Sequence, residues 1–329
     1  VQRQIGTMLI SVGYVGSNGR HTERAQELNP LLNPFQCAQT ADLCGRPNQF
    51  ASPEALYRFE PQASVISGNP IFFASLDQQQ TDGDSNYNSL QASVQKSLSH
   101  GLDFLVAYTY AHAMDNSSSL EDGAFNEQQV NGFLPHLNWG DSAFDARQRL
   151  VVSFDYELPM PSSWTSGGFG ERALKGWRIS GITTAQTGFP FTIDNPRFTS
   201  LTCNQFTFFD CPDTVETAAP LVLTNPRDSA GSRYFNASAF AFPALGTFGN
   251  VQRNPIHGPG LWDTDLALYK DTHISERMTL QLRIDAQNAF NHVSFNNPST
   301  NIRSSLFGRV TSDSVEGPRI MQLGARLIF

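Results

Sequence analysis

No apolar run in these 329 residues is long enough to cross a membrane as a helix, which takes about 18 consecutive apolar residues. Charge is scarce too: Asp, Glu, Lys and Arg make up 16% of the chain, against roughly a quarter in an ordinary soluble domain. Acidic residues outnumber basic ones by 30 to 22, the formal charge is −8, and no basic cluster breaks the acidic balance. That pattern excludes a nucleic-acid partner. Methionine is rare, 5 residues against 25 Phe. The opening residues Val1–Gly6 include no Met, no basic n-region and no apolar h-region. The expectation is therefore a sequence that starts inside a larger protein, with no signal peptide at its head.

Cysteine is limited to four residues, in two local pairs: Cys37 with Cys44, and Cys203 with Cys211. Both pairs sit in long polar segments and fit loop disulfides formed in an oxidising compartment. A zinc site is the alternative. Six and seven residues separate the partners, more than the two to four of a zinc knuckle, and no His is adjacent.

Abundant instead are aromatic residues and turn formers, with 25 Gly and 19 Pro. Alternation of apolar and polar residues predicts eight strands, near 7–16, 87–98, 102–112, 147–157, 175–187, 261–271, 276–290 and 319–329. The seventh is the clearest: Met278, Leu280, Leu282, Ile284 and Ala286 alternate with Thr279, Gln281, Arg283, Asp285 and Gln287. A soluble sandwich alternates as well, so the connections carry more weight. Ser99–Gly101 and Thr272–Ser275 are short links, whereas 17–86, 113–146, 188–260 and 291–318 are long, with 158–174 between them in length. Short and long links alternate along the chain, as short periplasmic turns and longer extracellular loops do in outer-membrane barrels. Aromatic residues fall near the expected strand ends. Phe104, Tyr156, Trp177 and Phe329 would form an inner girdle, and Tyr110 and Trp262 an outer one.

The last strand ends the chain on an aromatic residue. In Gln322–Phe329 the spacing polar-x-Gly-x-x-apolar-x-aromatic resembles the C-terminal signal through which bacterial outer-membrane barrels reach their assembly machinery, carried here by Gln322, Gly324, Leu327 and Phe329. Further stretches resemble the barrel of TonB-dependent receptors, in the Oar-like group that carries a carboxypeptidase-regulatory-like domain. They are Ser85–Gln91, His100–Phe104 running into Ala107–Tyr110, Gly176–Ile179, Tyr234–Phe240, Arg253–Pro259, and Phe290–His292 before Phe295. The resemblance implies an all-β fold, an antiparallel transmembrane outer-membrane β-barrel. Residues 1–329 would be its C-terminal part, about eight long strands with long extracellular loops, not closed on its own. A complete receptor barrel of about 22 strands surrounds an N-terminal plug; the plug and N-terminal strands would be absent from this stretch.

The resemblance also implies partners: outer-membrane lipid, the barrel-assembly machinery, TonB through the missing N-terminal parts, and an unidentified solute taken up across the bacterial outer membrane. No cofactor is implied, and no catalytic, cofactor-binding or metal residue is assigned. Candidate chemistry in the residues is weak. His112, Asp115 and Ser117–Ser119 offer the types of a nucleophilic triad, but a polar loop produces such neighbours by chance. Asp82–Asn86 resembles half a calcium loop without its later Glu, and reads better as a polar turn. Gly167–Gly170 reads as a flexible turn. The lumen-facing Arg283, Asp285, Asp263 and Asp265 are expected to form cross-strand charge pairs. The leading function is a transporter and not an enzyme. A small self-contained barrel acting as adhesin or anchor is the first alternative, and an outer-membrane hydrolase the second.

Overall fold

The structure, a computed structural model, describes residues 1–27, 64–66, 69–71, 77–118, 136, 138–159, 173–193, 215–242, 249–313 and 317–329, and among these the side chains of 1–23 and from 80 onward. All four cysteines and Gly167–Gly170 lie outside the described residues. Among the described residues no helix is long and apolar enough to cross a membrane. The main body is a ten-stranded antiparallel sheet. Nine strands form its path: β1 (Gln2–Ile5), β2 (Met8–Glu27), β3 (Asp77–Ser99), β4 (Leu102–Asp115), β5 (Gln148–Glu157), β6 (Trp177–Gln186), β7 (Leu261–Ser275), β8 (Met278–Gln287) and β9 (Ile320–Ile328). Each pairs only with its neighbours in the chain, and the short strand Gly140–Asp141 adds to the end of β4. β1 and β9 are not paired with one another, so the sheet is open.

The eight expected strands are all present, and β1 is an addition. Its residues, Gln-Arg-Gln-Ile, are polar on both faces and carry no period-2 signal. The expected turn at Thr272–Ser275 lies instead at Glu276–Arg277, because pairing of β7 with β8 runs to Ser275 and Met278. Residues 82–86 are not a turn either. They lie inside β3, paired with β2 through Asn86↔Asn18, Ser85↔Gly19, Asp84↔Arg20 and Gly83↔Thr22. Cross-strand partners such as Asn86 Nδ2 donating to Asn18 Oδ1 at 2.6 Å let a polar segment continue as sheet. With 20 and 23 residues, β2 and β3 far exceed the roughly 9–11 residues that span a bilayer.

Register separates the wall into two chemical faces. On one, Leu268, Ile284 and Leu323 lie in a row, as do Leu266, Ala286 and Met321. On the other, Tyr269, Arg283 and Gly324 align, and Ala267, Asp285 and Gln322 beside them. The first face suits hydrocarbon and the second a wet lumen. The expected cross-strand charge pairs take a different form. Arg283 bonds Asp285 two residues along its own strand at 2.7 Å, while Asp265 accepts the Asn288 backbone N–H at 2.9 Å. The cross-strand link is Tyr269, whose ring lies between Arg178 at 4.5 Å and Arg283 at 5.1 Å. Arg178 also pairs with Asp155 at 3.7 Å. Asp155, Asp265, Tyr269, Arg283 and Asp285 line a lumen-side cleft of about 840 Å³.

Short turns close one end of the sheet. Between β3 and β4, His100 and Gly101 both adopt positive φ, 54° and 74°, the backbone twist that a two-residue hairpin requires. A Cβ at Gly101 would meet the Glu157 carbonyl at 2.8 Å, so only glycine fits there.

At the opposite end, the described residues of 188–260 and 291–318 form a cap with its own core. Phe191, Ile193, Val215, Phe235, Val251, Ile256 and Phe307 are buried together. Phe235 meets Phe307 edge-on at 5.1 Å and Phe240 at 5.8 Å. Two-residue strands hold the cap: Pro190–Phe191 pairs with Ile256–His257, and Glu216–Thr217 with Phe240–Ala241.

The two faces of the wall predict opposite responses to the same charge. Ile284→Arg, at the middle of β8 on the apolar face, should cost about 2–4 kcal/mol of folding free energy in a bilayer. Gln281→Arg, on the lumen face, should cost far less. Urea unfolding of both variants in lipid vesicles measures the difference.

Candidate functional site

A buried arginine helps fix the cap to the wall. Arg253 and Asp115, the last residue of β4, are 2% and 3% exposed and form a direct ion pair. Arg253 also donates to the Asp115 carbonyl at 2.7 Å, to the Asn138 carbonyl at 3.0 Å, and to Ser118 Oγ at 3.0 Å. Ser118 Oγ lies 2.9 Å from both Asp115 carboxylate oxygens and accepts the Ala143 N–H at 2.9 Å. Segment 116–147 is thereby joined to segment 188–260. The approach is close: a Cβ at Gly140 would sit 2.5 Å from the Arg253 carbonyl.

A second polar layer adjoins this one. The Asp141 carboxylate receives His112 Nε2 at 2.8 Å on one oxygen. On the other it receives His257 Nε2 at 2.7 Å and Arg147 Nη2 at 3.0 Å. Asp145, 1% exposed, holds Arg147 at 3.1 Å and accepts the Ala113 N–H at 2.7 Å, with His257 Nε2 3.8 Å away. His257 Nδ1 lies 3.1 Å from the Gly188 carbonyl. Asn254, at a left-handed φ of 52°, donates to the Asp141 carbonyl at 2.8 Å and exchanges hydrogen bonds with Thr192. Burial raises the Asp141 pKa, but hydrogen bonds from His112 and His257 and the charge of Arg147 outweigh it, so the carboxyl is held below its ordinary value.

This cluster opens on a cleft of about 770 Å³. Its lining combines the apolar Leu150, Ala185 and Leu261 with Tyr108, Arg147 and His257. Register places His112 on the same face as Tyr110, Tyr108 and Leu150, the apolar face of the wall. Nearby, Trp262 stacks on Phe290 at 5.8 Å and meets the His292 ring edge-on at 4.7 Å. Burial lowers the His292 pKa, and the charge of Arg227 lowers it further.

Among the described residues, His112, Asp115 and Ser118 do not assemble a triad. His112 is directed to Asp141, whereas Asp115 and Ser118 bond each other and Arg253; Ser119 lies outside the described residues. Asp141, Asp145 and Arg147 are close in sequence, but the set was invisible because His257 joins it from 116 residues away. The one signal was the stretch Arg253–Pro259, which stood out without a role. Of the C-terminal residues, Gln322 pairs with Asp285, Gly324 with Arg283 and Leu327 with Leu280. Phe329 follows the last strand residue and is 90% exposed.

The two-faced antiparallel wall, with short turns at one end and a folded cap at the other, agrees with the family comparison. The family model described as outer membrane beta barrel domain matches residues 1–322. The chain belongs to that family. It is a protein of the bacterial outer membrane. No curated protein sequence matches it. Among solved structures it is similar to the outer membrane transporter YddB from Escherichia coli, at 9% identity and a TM-score of 0.44, covering 99% of this chain and 31% of that one. It is also similar to a chain of the FpvAI–pyocin S2 complex, at 12% identity and a TM-score of 0.38, covering 98% and 25%. The chain thus spans about a third or less of the length of these structures.

Removing one partner of a buried ion pair leaves an uncompensated charge, which costs about 3–5 kcal/mol. Arg253→Ala should therefore loosen the cap, held then by the contacts of His257 and Asn254 to Asp141, while leaving the wall strands folded. Limited proteolysis of the membrane-embedded protein should show new cleavage within 215–260 and protected β7 and β8.

Proposed function

We propose that the chain is the C-terminal wall of a TonB-dependent receptor of the Oar-like group, a transporter that brings a scarce or bulky solute across the outer membrane, and that it is not an enzyme. The observation that carries this reading is the open nine-strand path. β1 and β9 both run toward the end with short turns, so joining them directly would make a parallel seam. Bacterial single-chain barrels close with antiparallel strands in even number. Further strands between β1 and β9 satisfy both edges. They also cover β9, which is exposed along its whole length despite the apolar residues on one face. A self-contained adhesin or anchor barrel lacks that support, and the contacts of His112, Asp115 and Ser118 lend none to a hydrolase.

In this reading Gln322, Gly324, Leu327 and Phe329 deliver the protein to the barrel-assembly machinery. TonB acts through N-terminal parts outside this chain. The cap and the lumen cleft meet the solute, since recognition concentrates in loops held by a rigid wall.

In the organism that encodes it, deleting this gene and deleting TonB should abolish uptake of the same radiolabelled solute from a panel of metal chelates, glycans and peptides. Loss of surface adhesion with every uptake rate unchanged would favour the anchor reading instead.

A further inference from the structure

Two imidazoles from different parts of the chain converge on a single carboxylate. His112 Nε2 meets one oxygen of Asp141 at 2.8 Å and His257 Nε2 the other at 2.7 Å. His112 belongs to wall strand β4, Asp141 to the short strand that extends it, and His257 to the cap. His257 faces an oxygen on both sides, because its Nδ1 lies 3.1 Å from the Gly188 carbonyl. A carbonyl only accepts, so Nδ1 carries a proton. Nε2 then either carries a second proton toward Asp141 or offers a lone pair to a cation. A metal-ligating imidazole commonly has this arrangement, one nitrogen on the metal and the other donating to a backbone carbonyl.

The remaining surroundings fit the same role. Asn254 holds the Asp141 backbone at 2.8 Å, which fixes the carboxylate from behind. The ligand atoms of His112, Asp141 and Asp145 lie within 4.8 Å of one another; His257 is outside that group, with Nε2 2.7 Å from Asp141 and 3.8 Å from Asp145, and joins an ion by closing on Asp141. Arg147 is the resident cation, bonded to Asp141 at 3.0 Å and to Asp145 through Nε at 3.1 Å. It can leave Asp141 and keep Asp145, whose other oxygen stays on the Ala113 N–H.

We propose that His112, His257 and Asp141 form a site for a divalent transition-metal ion such as Zn²⁺ on the extracellular side of the wall. Two imidazoles and a carboxylate are ligands that zinc takes at about 2.0–2.2 Å, with a fourth position left for water or a bound molecule. That position opens on the cleft of about 770 Å³ lined by Tyr108, Arg147 and His257. The ion replaces the proton at each Nε2 and the Arg147 contact to Asp141, and it ties the cap to β4 independently of Arg253.

Calorimetry on the full-length protein that carries this chain, extracted from the outer membrane in detergent and with any purification tag removed, tests the site with ZnCl₂ as the probe. The expected result is one ion per chain, with affinity lowered about 100-fold or more in the His112→Ala/His257→Ala double variant. Arg147→Ala should bind more tightly than the wild type, because the competing guanidinium is gone while all three ligands remain. In the unmodified protein, Co²⁺ should give a visible ligand-field spectrum of a site with imidazole ligands, a readout that depends on no variant. Absence of binding by Zn²⁺, Ni²⁺ and Cu²⁺ at millimolar metal, a featureless Co²⁺ spectrum, or unchanged Zn²⁺ affinity in a folded double variant would overturn the assignment.

Discussion

Inside a hydrocarbon layer every backbone N–H and C=O must find a partner within the protein. Here that requirement is met strand by strand in one antiparallel meander, and the rest of the structure follows from it. Pairing fixes the register, register fixes which side chains share a face, and the faces divide into apolar and polar rows. Among the described residues the outer edges of β1 and β9 are without a ladder, and so is β2 beyond Ser11 on the side of β1. An open edge is the most costly feature such a wall can have in lipid, and it is the reason the sheet reads as part of a larger enclosure.

The lumen face shows how charge is handled once the alternation is set. Arg283 and Asp285 neutralise each other along one strand, and Tyr269 accepts guanidinium groups from β6 and β8 on its ring. Above the wall, solvent is available, and the backbone is released from strict pairing. The cap therefore uses a hydrophobic core of aromatic rings, two-residue strands and side-chain bonds to backbone. It is attached by a buried ion pair and a histidine–aspartate layer that draw on residues from the wall and from two loops.

The wall was legible in the sequence because its signal is local. Leu280, Leu282 and Ile284 alternate with Gln281, Arg283 and Asp285, and nothing distant is needed to read them as a strand. Strand ends were less legible: Asp82–Asn86 has the composition of a turn, yet cross-strand contacts to Asn18 and Thr22 keep it in the sheet. β1 carries no alternation at all. The cap looked like long irregular links, since its pairings join residues such as Phe191 with Ile256 across more than sixty positions. The same holds for the site. His112 was noticed beside Asp115 and Ser117, but its partners are Asp141 at 29 residues and, through it, His257. Sequence neighbours offered a triad; the fold directs His112 to Asp141, and Asp115 and Ser118 to Arg253.

The central claim is orientation: a membrane wall with its cap outside the cell and its short turns in the periplasm. Epitope insertions decide it most directly, one at the exposed cap turn Asp228 and one at the turn between Glu276 and Arg277, in cells producing the protein. The account predicts that antibody reaches the Asp228 epitope on intact cells and the Glu276 epitope only after the outer membrane is permeabilised. Labelling of the Glu276 epitope on intact cells, with the Asp228 epitope hidden, would contradict it.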